Sequence, residues 1–256
     1  MDIKELIKSD FYDMEHIKSV TSTNDIVKEL AKDGKDEGYV LIADSQTQGK
    51  GRLSRSFYSP DNSGIYMSIL LRPKLQAKDF PLITTCCAVA VAKAIEKVFR
   101  IDTKIKWVND IYISGKKVSG ILVESGISND SSFAVVGIGV NVSVPKDNFP
   151  DEIKDKAGAI LNYRDDELKN KLTASILNEF YSIYSHIDDK SFYNDYKNRS
   201  FILGKRISFE KNAVTHNVTA IDIDENFGLV VKDENGKVFT LNTGEVSIVL
   251  DKKITD

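Results

Sequence analysis

The sequence predicts an α+β fold: helices against a mixed, largely antiparallel sheet, followed by a small all-β unit. Three observations carry this expectation. Strand-like runs in the first part of the chain are joined by connections too short for parallel crossovers, so most neighbours must be antiparallel. Long helical segments interrupt those strands. Beyond Leu203–Gly204 only short strands and turn residues remain, the pattern of a small β-barrel. The boundary falls near residue 200, dividing the chain into residues 1–200 and 201–256.

Asp25–Lys32 has helical spacing, is preceded by Ser22–Thr23–Asn24 and is followed by Gly34, which are start and stop signals. Gly38–Ala43 and Gly64–Leu71 read as strands. Leu82–Phe99, rich in alanine and valine, is apolar on several sides and reads as a central helix. Lys104–Val108, Asp110–Ile113, Val118–Glu124 and Phe133–Val144 read as strands, with Ser114–Gly115–Lys116 as a hairpin turn. Asp165–His186 is an amphipathic helix and Ser191–Ser200 a shorter one. Five short strands follow: Arg206–Glu210, Val214–Ile223, Gly228–Asp233, Lys237–Leu241 and Glu245–Leu250.

Composition narrows the function. With 41% hydrophobic residues in 256, the chain can bury a substantial core. A net charge of −3, from 35 basic and 38 acidic residues, argues against a dedicated nucleic-acid binder. The two cysteines, Cys86 and Cys87, are adjacent within an apolar helical run and read as buried thiols in a reducing compartment. Met1–Asp10 mixes charged and apolar residues unlike a signal peptide, and no apolar stretch reaches membrane-spanning length, so a cytoplasmic protein is expected. His16, His186 and His216 lack metal-ligand spacing, and no Gly-x-Ser-x-Gly elbow, P-loop or dinucleotide fingerprint occurs.

Five segments carry polar or glycine residues that a plain core does not need. Gln46–Arg55 places Lys50, Arg52 and Arg55 with Gly49 and Gly51 between two strands, which makes either a solvated basic hairpin or an anion cradle. Ser22–Thr23–Asn24 is an N-cap or a polar ligand site at a helix start. Lys106–Asp110 sets the only tryptophan, Trp107, beside a lysine, an asparagine and an aspartate at a strand break. Lys116–Glu124 holds Gly120 within an apolar strand, where a bare backbone admits close approach. Lys117 opens that strand, as an exposed turn residue or aimed at the same spot. Gly137–Val142 interrupts a buried strand with two glycines and Asn141, whose amide needs partners.

Together and in this order, these segments resemble the biotin–protein ligases, from about Lys18 to Leu250. The resemblance implies a class II aminoacyl-tRNA synthetase-like biotinyl/lipoyl ligase catalytic domain and an SH3-like C-terminal β-barrel. In that family a Ser-Thr-Asn triplet and a glutamine hold biotin, which implies Ser22, Thr23, Asn24 and Gln46. The Gly-Arg-Gly-Arg-x-Gly-Arg loop is similar to Gly49–Arg55 and closes over biotin and the adenylate phosphate. That implicates Lys50, Gly51 and Arg52, with Arg55 and Phe57 on the adenylate side. Lys-Trp-Pro-Asn-Asp is similar to Lys106–Asp110, implying nucleotide contacts from Lys106, Trp107, Asn109 and Asp110. Lys-x-x-Gly-Ile-Leu-x-Glu places Lys117 and Gly120 at biotin, and Gly-x-Gly-x-Asn places Asn141 at the nucleotide. Arg52 and Lys117 are the implied catalytic residues.

The sequence departs from the family pattern at Lys50 (arginine), Ser54 (glycine), Val108 (proline) and Phe57 (tryptophan in many members). No arginine follows Gly244–Glu245–Val246–Ser247, where Val249 stands, which puts a contact from the C-terminal unit to ATP in doubt. The resemblance implies biotin as substrate, ATP and Mg2+, and a biotin carboxyl carrier domain as acceptor, with no nucleic-acid or membrane partner. Only about twenty residues precede the Ser-Thr-Asn motif, fewer than a winged helix-turn-helix needs. Monomer and homodimer both remain open. A lipoate or octanoyl ligase or transferase is the nearest rival, and a biotin-sensing protein without catalysis is another. Retention of Arg52 and Lys117 argues against the latter.

Overall fold

The computed structural model describes residues 2–74, 80–128 and 131–249. Leu250, the expected end of the last strand, lies outside the described residues, as do the following residues of the expected C-terminal unit. The described elements are α1 (Ile3–Leu6), β1 (Asp13–Val20), α2 (Thr23–Lys32), β2 (Tyr39–Gln46), β3 (Gly64–Leu71), α3 (Phe80–Phe99), β4 (Lys104–Lys106), β5 (Asp110–Ile113), β6 (Lys116–Ser128) and β7 (Ser131–Asn141). There follow α4 (Asp166–Tyr184), α5 (Tyr193–Arg199), β8 (Arg206–Lys211), β9 (Val214–Ile223), β10 (Leu229–Lys232), β11 (Val238–Leu241) and β12 (Val246–Ile248).

Seven strands form one sheet in the order β1-β2-β3-β7-β6-β5-β4. All its pairs are antiparallel except β1–β2, which is parallel. That pair departs from the sequence reading, which contains no strand at Asp13–Val20. The crossover that parallel pairing requires is supplied by α2.

Alternation along the strands sends one set of side chains to each face. Val40, Ile42, Ile65, Met67, Ile69, Leu71, Val136, Ile138 and Val140 join the large core that includes α3 and α4. Tyr39, Leu41, Leu70, Phe133 and Val135 face Val27 and Ala31 of α2 on the other side. α3 is buried along most of its length, including Cys86 and Cys87, as its apolar composition requires. Burial pushes both thiols well above their ordinary range. Asp165 caps α4, its carboxylate accepting from the Leu168 N–H.

The C-terminal strands form a five-stranded antiparallel sheet, β11-β10-β9-β8-β12. Its buried residues Ile207, Val218, Ala220, Leu229 and Val231 belong to the same core as Trp107, Phe192 and Tyr196. Phe227 sits at the centre of this contact. Its ring stacks on Phe192, with centroids 4.9 Å apart, and meets Tyr193 and Tyr196 edge-on.

Several boundaries shift from the sequence expectations. α2 begins at Thr23, so Ser22 takes the N-cap position but makes no side-chain cap bond. The strand expected over Lys104–Val108 ends at Lys106, because Trp107–Asn109 turn into β5; the Trp107–Val108 peptide is cis. The helix expected over Asp165–His186 ends at Tyr184, and that over Ser191–Ser200 spans Tyr193–Arg199. β6 and β7 pair as a long hairpin, which extends the first strand past Glu124 and ends the second at Asn141.

Candidate active site

Sheet register assembles the site. One row of directly opposed residues runs Tyr66 (β3), Gly139 (β7), Gly120 (β6), Asp110 (β5) and Lys106 (β4). The row beside it contains Ser68, Gly137 and Leu122. Directly opposed residues share a face, so residues far apart in sequence converge on the α2 side of the sheet. There they line an open cleft.

Glycine is required on this floor. A Cβ on Gly139 would stand 2.5 Å from the Phe57 ring, and one on Gly137 would stand 2.2 Å from Asn24 Oδ1. The Phe57 ring therefore rests directly on bare backbone. Phe57 is carried there by the segment after β2. Its N–H donates to the Gly49 carbonyl at 2.8 Å, and the Gly51 N–H donates to the Arg55 carbonyl at 2.7 Å. The loop is thus a small hairpin with Leu53 and Ser54 at its tip, both at positive φ. Ser54 adopts φ +60° where the resembled loop has glycine. Both sequence readings of Gln46–Arg55 meet here: it is a basic hairpin, and its cations face a cleft.

One end of the cleft is polar and neutral. Ser22, Thr23 and Asn24 are buried at the start of α2. The Thr23 N–H donates to Gln46 Oε1 at 2.8 Å, and Gln46 Nε2 donates to Ser59 Oγ at 3.0 Å. Asn24 Nδ2 donates to Glu124 Oε2 at 2.8 Å, while Ser68 Oγ donates to Asn24 Oδ1 at 2.6 Å. Met67, Leu122 and Ile138 supply apolar wall.

The other end is cationic. Arg52, Arg55, Lys106 and Lys117 line the cleft there, against the two carboxylates Asp110 and Glu245, and Lys50 lines it nearer α2. Arg52 Nη1 donates to Asn109 Oδ1 at 3.1 Å, and Asn109 Nδ2 donates to the Ile121 carbonyl at 2.8 Å. Lys117 Nζ lies 2.6 Å from Asp110 Oδ1. Arg55 Nη1 reaches Glu245 Oε1 at 2.5 Å, and Lys50 Nζ reaches Asp25 Oδ1 at 2.6 Å. Burial lowers the Lys106 ammonium and the Arg52 guanidinium from their ordinary values, opposed by Asp110 and Glu245. A partly desolvated cationic surplus of this kind favours an anionic ligand.

Most of the expected site residues converge on the cleft: Ser22, Thr23, Asn24, Gln46, Lys50, Gly51, Arg52, Arg55, Phe57, Lys106, Trp107, Asn109, Asp110, Lys117 and Gly120. Asn141 does not line it. Its amide donates to the Gly158 carbonyl at 3.0 Å and ties β7 to the segment that follows. Trp107 lines the cleft but is 3% exposed, and its indole N–H donates to the Phe227 carbonyl at 2.9 Å. It therefore also fastens the Lys106–Asp110 segment to the C-terminal sheet. Replacing it, Trp107→Phe, leaves that carbonyl unpaired and is expected to cost about 1–3 kcal/mol, read as a lowered urea midpoint.

Ser56, Met67 and Glu245 line the cleft without having been singled out as site residues. Met67 looks like any strand residue in its apolar run. Glu245 comes from the C-terminal unit, whose contact with the site the missing arginine had left in doubt. It reaches the site through Arg55. Among the described residues, no group of three His, Cys, Asp or Glu side chains could hold a metal ion. No described helix is long and apolar enough to cross a membrane.

The model of the biotin/lipoate A/B protein ligase family matches residues 16–141. Relatives of the chain include the bifunctional ligase/repressor BirA of Bacillus spizizenii, 44% identical over 142 residues. That alignment spans 55% of this chain but only 44% of the relative. The biotin–[acetyl-CoA-carboxylase] ligase of Mycobacterium tuberculosis is 27% identical over 88% of this chain and 85% of its own length. Among solved structures, the biotin protein ligase from Aquifex aeolicus in complex with biotin and ATP superposes with a TM-score of 0.73. It is 28% identical, over 93% of this chain and 98% of that one.

Proposed function

We propose that the chain is a biotin–protein ligase that activates biotin with ATP to biotinyl-5′-AMP and transfers the biotinyl group to a lysine of a biotin carboxyl carrier domain. The observation that carries the reading is the polarity of one cleft, with a neutral hydrogen-bonding pocket at one end and clustered cations at the other. A ligand with a ureido ring and a carboxylate, reacting with a polyphosphate, needs both ends within one site.

In the first half-reaction a biotin carboxylate oxygen attacks the α-phosphorus of ATP and pyrophosphate leaves. Two anions must approach, a repulsion of about 4 kcal/mol per close pair of unit charges at an intermediate dielectric. Arg52 and Lys117 stand where they offset it and stabilise charge developing on the phosphoryl oxygens. Lys106 and Arg55 extend the cationic surface toward the leaving group. In the second half-reaction the neutral amine of the carrier lysine attacks the acyl carbon, AMP leaves, and the amine loses a proton.

Ser22, Thr23, Asn24 and Gln46 hold the ureido end, with Lys50, Gly51 and Gly120 along the biotin chain. Arg55, Phe57, Lys106, Trp107, Asn109 and Asp110 face the adenylate. Mg2+ enters as part of the MgATP substrate, bound chiefly by phosphate oxygens as is usual for this ion. Residues 201–256 form the second, smaller domain in this reading, which reaches the site through Glu245.

The mixed anhydride needs protection from water, and the Gly49–Arg55 hairpin is the element placed to close over it. Biotin with MgATP is expected to slow protease cleavage within Gly49–Arg55, as followed by mass spectrometry of the fragments. Adenylation itself is tested by exchange of labelled pyrophosphate into ATP. Exchange that depends on biotin supports the reading, and exchange driven by lipoate or octanoate instead overturns it.

A further inference from the structure

We propose that Glu124, which does not line the cleft, is a positioning residue for its biotin end: it orients the Asn24 amide and, through it, the Ser68 hydroxyl. The proposal rests on the biotin reading of the site.

Asn24 is 4% exposed, so its amide must find partners within the protein. Its Nδ2 donates to Glu124 Oε2 at 2.8 Å and to the Leu122 carbonyl at 3.4 Å. A carboxylate and a carbonyl can only accept. Flipping the amide would set its oxygen against both, so Glu124 leaves it one orientation. Asn24 Oδ1 then points to Ser68 Oγ, 2.6 Å away and fully buried, which must donate.

A hydroxyl carries one proton. That of Ser68 serves Asn24; the Thr23 hydroxyl, 2.7 Å from Ser68 Oγ, lies 3.1 Å from Gln46 Oε1 and donates its own proton there. Gln46 Oε1 accepts from the Thr23 N–H at 2.8 Å, a backbone donor that orients this amide independently of Glu124. Its Nε2 gives one proton to Ser59 Oγ at 3.0 Å and keeps a second for a ligand carbonyl. Glu124 thus sets the orientation of Asn24 and of the Ser68 hydroxyl beside it.

Lys28 holds the other carboxylate oxygen, with Nζ 2.6 Å from Glu124 Oε1. It also lies 3.1 Å from Asp25, the residue that pairs with Lys50 of the hairpin. Burial works to lower the Lys28 ammonium, but its hydrogen bonds to Glu124 and Asp25 outweigh that and raise it. The positive charge is therefore a fixed part of the arrangement.

The test measures both KM values in pyrophosphate exchange on the full chain. Glu124→Ala is expected to raise KM for biotin by about tenfold to a hundredfold, leaving KM for ATP and kcat near wild type. In E124Q the amide can offer its oxygen to Asn24 only by turning its NH2 toward the Lys28 ammonium. E124Q is therefore expected to lose biotin affinity, and the double variant with Lys28→Met to recover most of it.

An unchanged KM for biotin in E124A, or equal rises in both KM values, overturns the proposal. A wild-type chain without biotin-dependent exchange overturns the biotin reading instead. In that case the NMR signals of the Asn24 side-chain amide, assigned by their loss in Asn24→Asp, still decide whether Glu124 holds this group. They shift in E124Q if it does, and unmoved signals overturn the proposal.

Discussion

Lys117→Ala is expected to lower formation of biotinyl-5′-adenylate by about two to three orders of magnitude, the size typical for one charge-stabilising donor at a developing oxyanion. Lys117 opens β6 and lies over Gly120, where a Cβ would come within 3.3 Å of its Nζ. In the proposed reading it sits above the part of the floor where the biotin chain and the phosphate would meet. Its present partner is Asp110, 2.6 Å away. Phosphate or carboxylate oxygens entering the cleft compete for the same ammonium, and the partly exposed side chain can turn toward them. The experiment is a single-turnover assay with biotin and MgATP, reading adenylate by chromatography, beside a separate measurement of biotin binding. Adenylate formed at close to the wild-type rate would remove Lys117 from the catalytic role.

Gly137→Ala is expected to damage both the fold and the biotin end of the site. The new methyl carbon would stand 2.2 Å from Asn24 Oδ1. Asn24 cannot yield freely, because Glu124 holds its nitrogen and Ser68 its oxygen. Overpacking of this kind costs about 1–3 kcal/mol, and moving Asn24 leaves buried polar groups unpaired at a similar further cost. A lowered urea midpoint and at least a tenfold rise in KM for biotin, each decade being about 1.4 kcal/mol, are the expected readings. Gly120→Ala is the informative comparison. The nearest atoms to its new Cβ belong to the flexible end of Lys117 and to the Phe57 ring, at 3.3–3.4 Å, so its loss of stability is expected to be smaller. Equal stability of G137A and wild type would contradict the packing account.

Much of this was legible because strong signals marked it. α3 is apolar on several sides, and β3, buried at every position, matched its expected range Gly64–Leu71. Ser114 and Gly115, both at positive φ, make the hairpin turn that their residue types indicated. β1 was missed for a physical reason. It is an edge strand whose Glu15, His16 and Lys18 face solvent, and none of its residues is fully buried, so no apolar alternation appears. Most of the site was legible as motifs, since glycines and charges stand out within apolar strands. Ser68 did not, because its place in the site comes from register. Ser68 lies opposite Gly137 across the β3–β7 pair and meets Asn24 only once the sheet is formed. Asn141 shows the converse, a conspicuous polar residue whose amide serves the segment after β7.

The central claim is that one cleft couples a ureido-binding pocket to phosphate-binding cations in order to modify a carrier lysine. Its most direct test is mass spectrometry of a biotin carboxyl carrier domain after incubation with this chain, biotin and MgATP. The account predicts one biotinyl group on one lysine, formed only when all three are present. A carrier domain left unmodified in the complete reaction, or modified equally well when lipoate or octanoate replaces biotin, would contradict it.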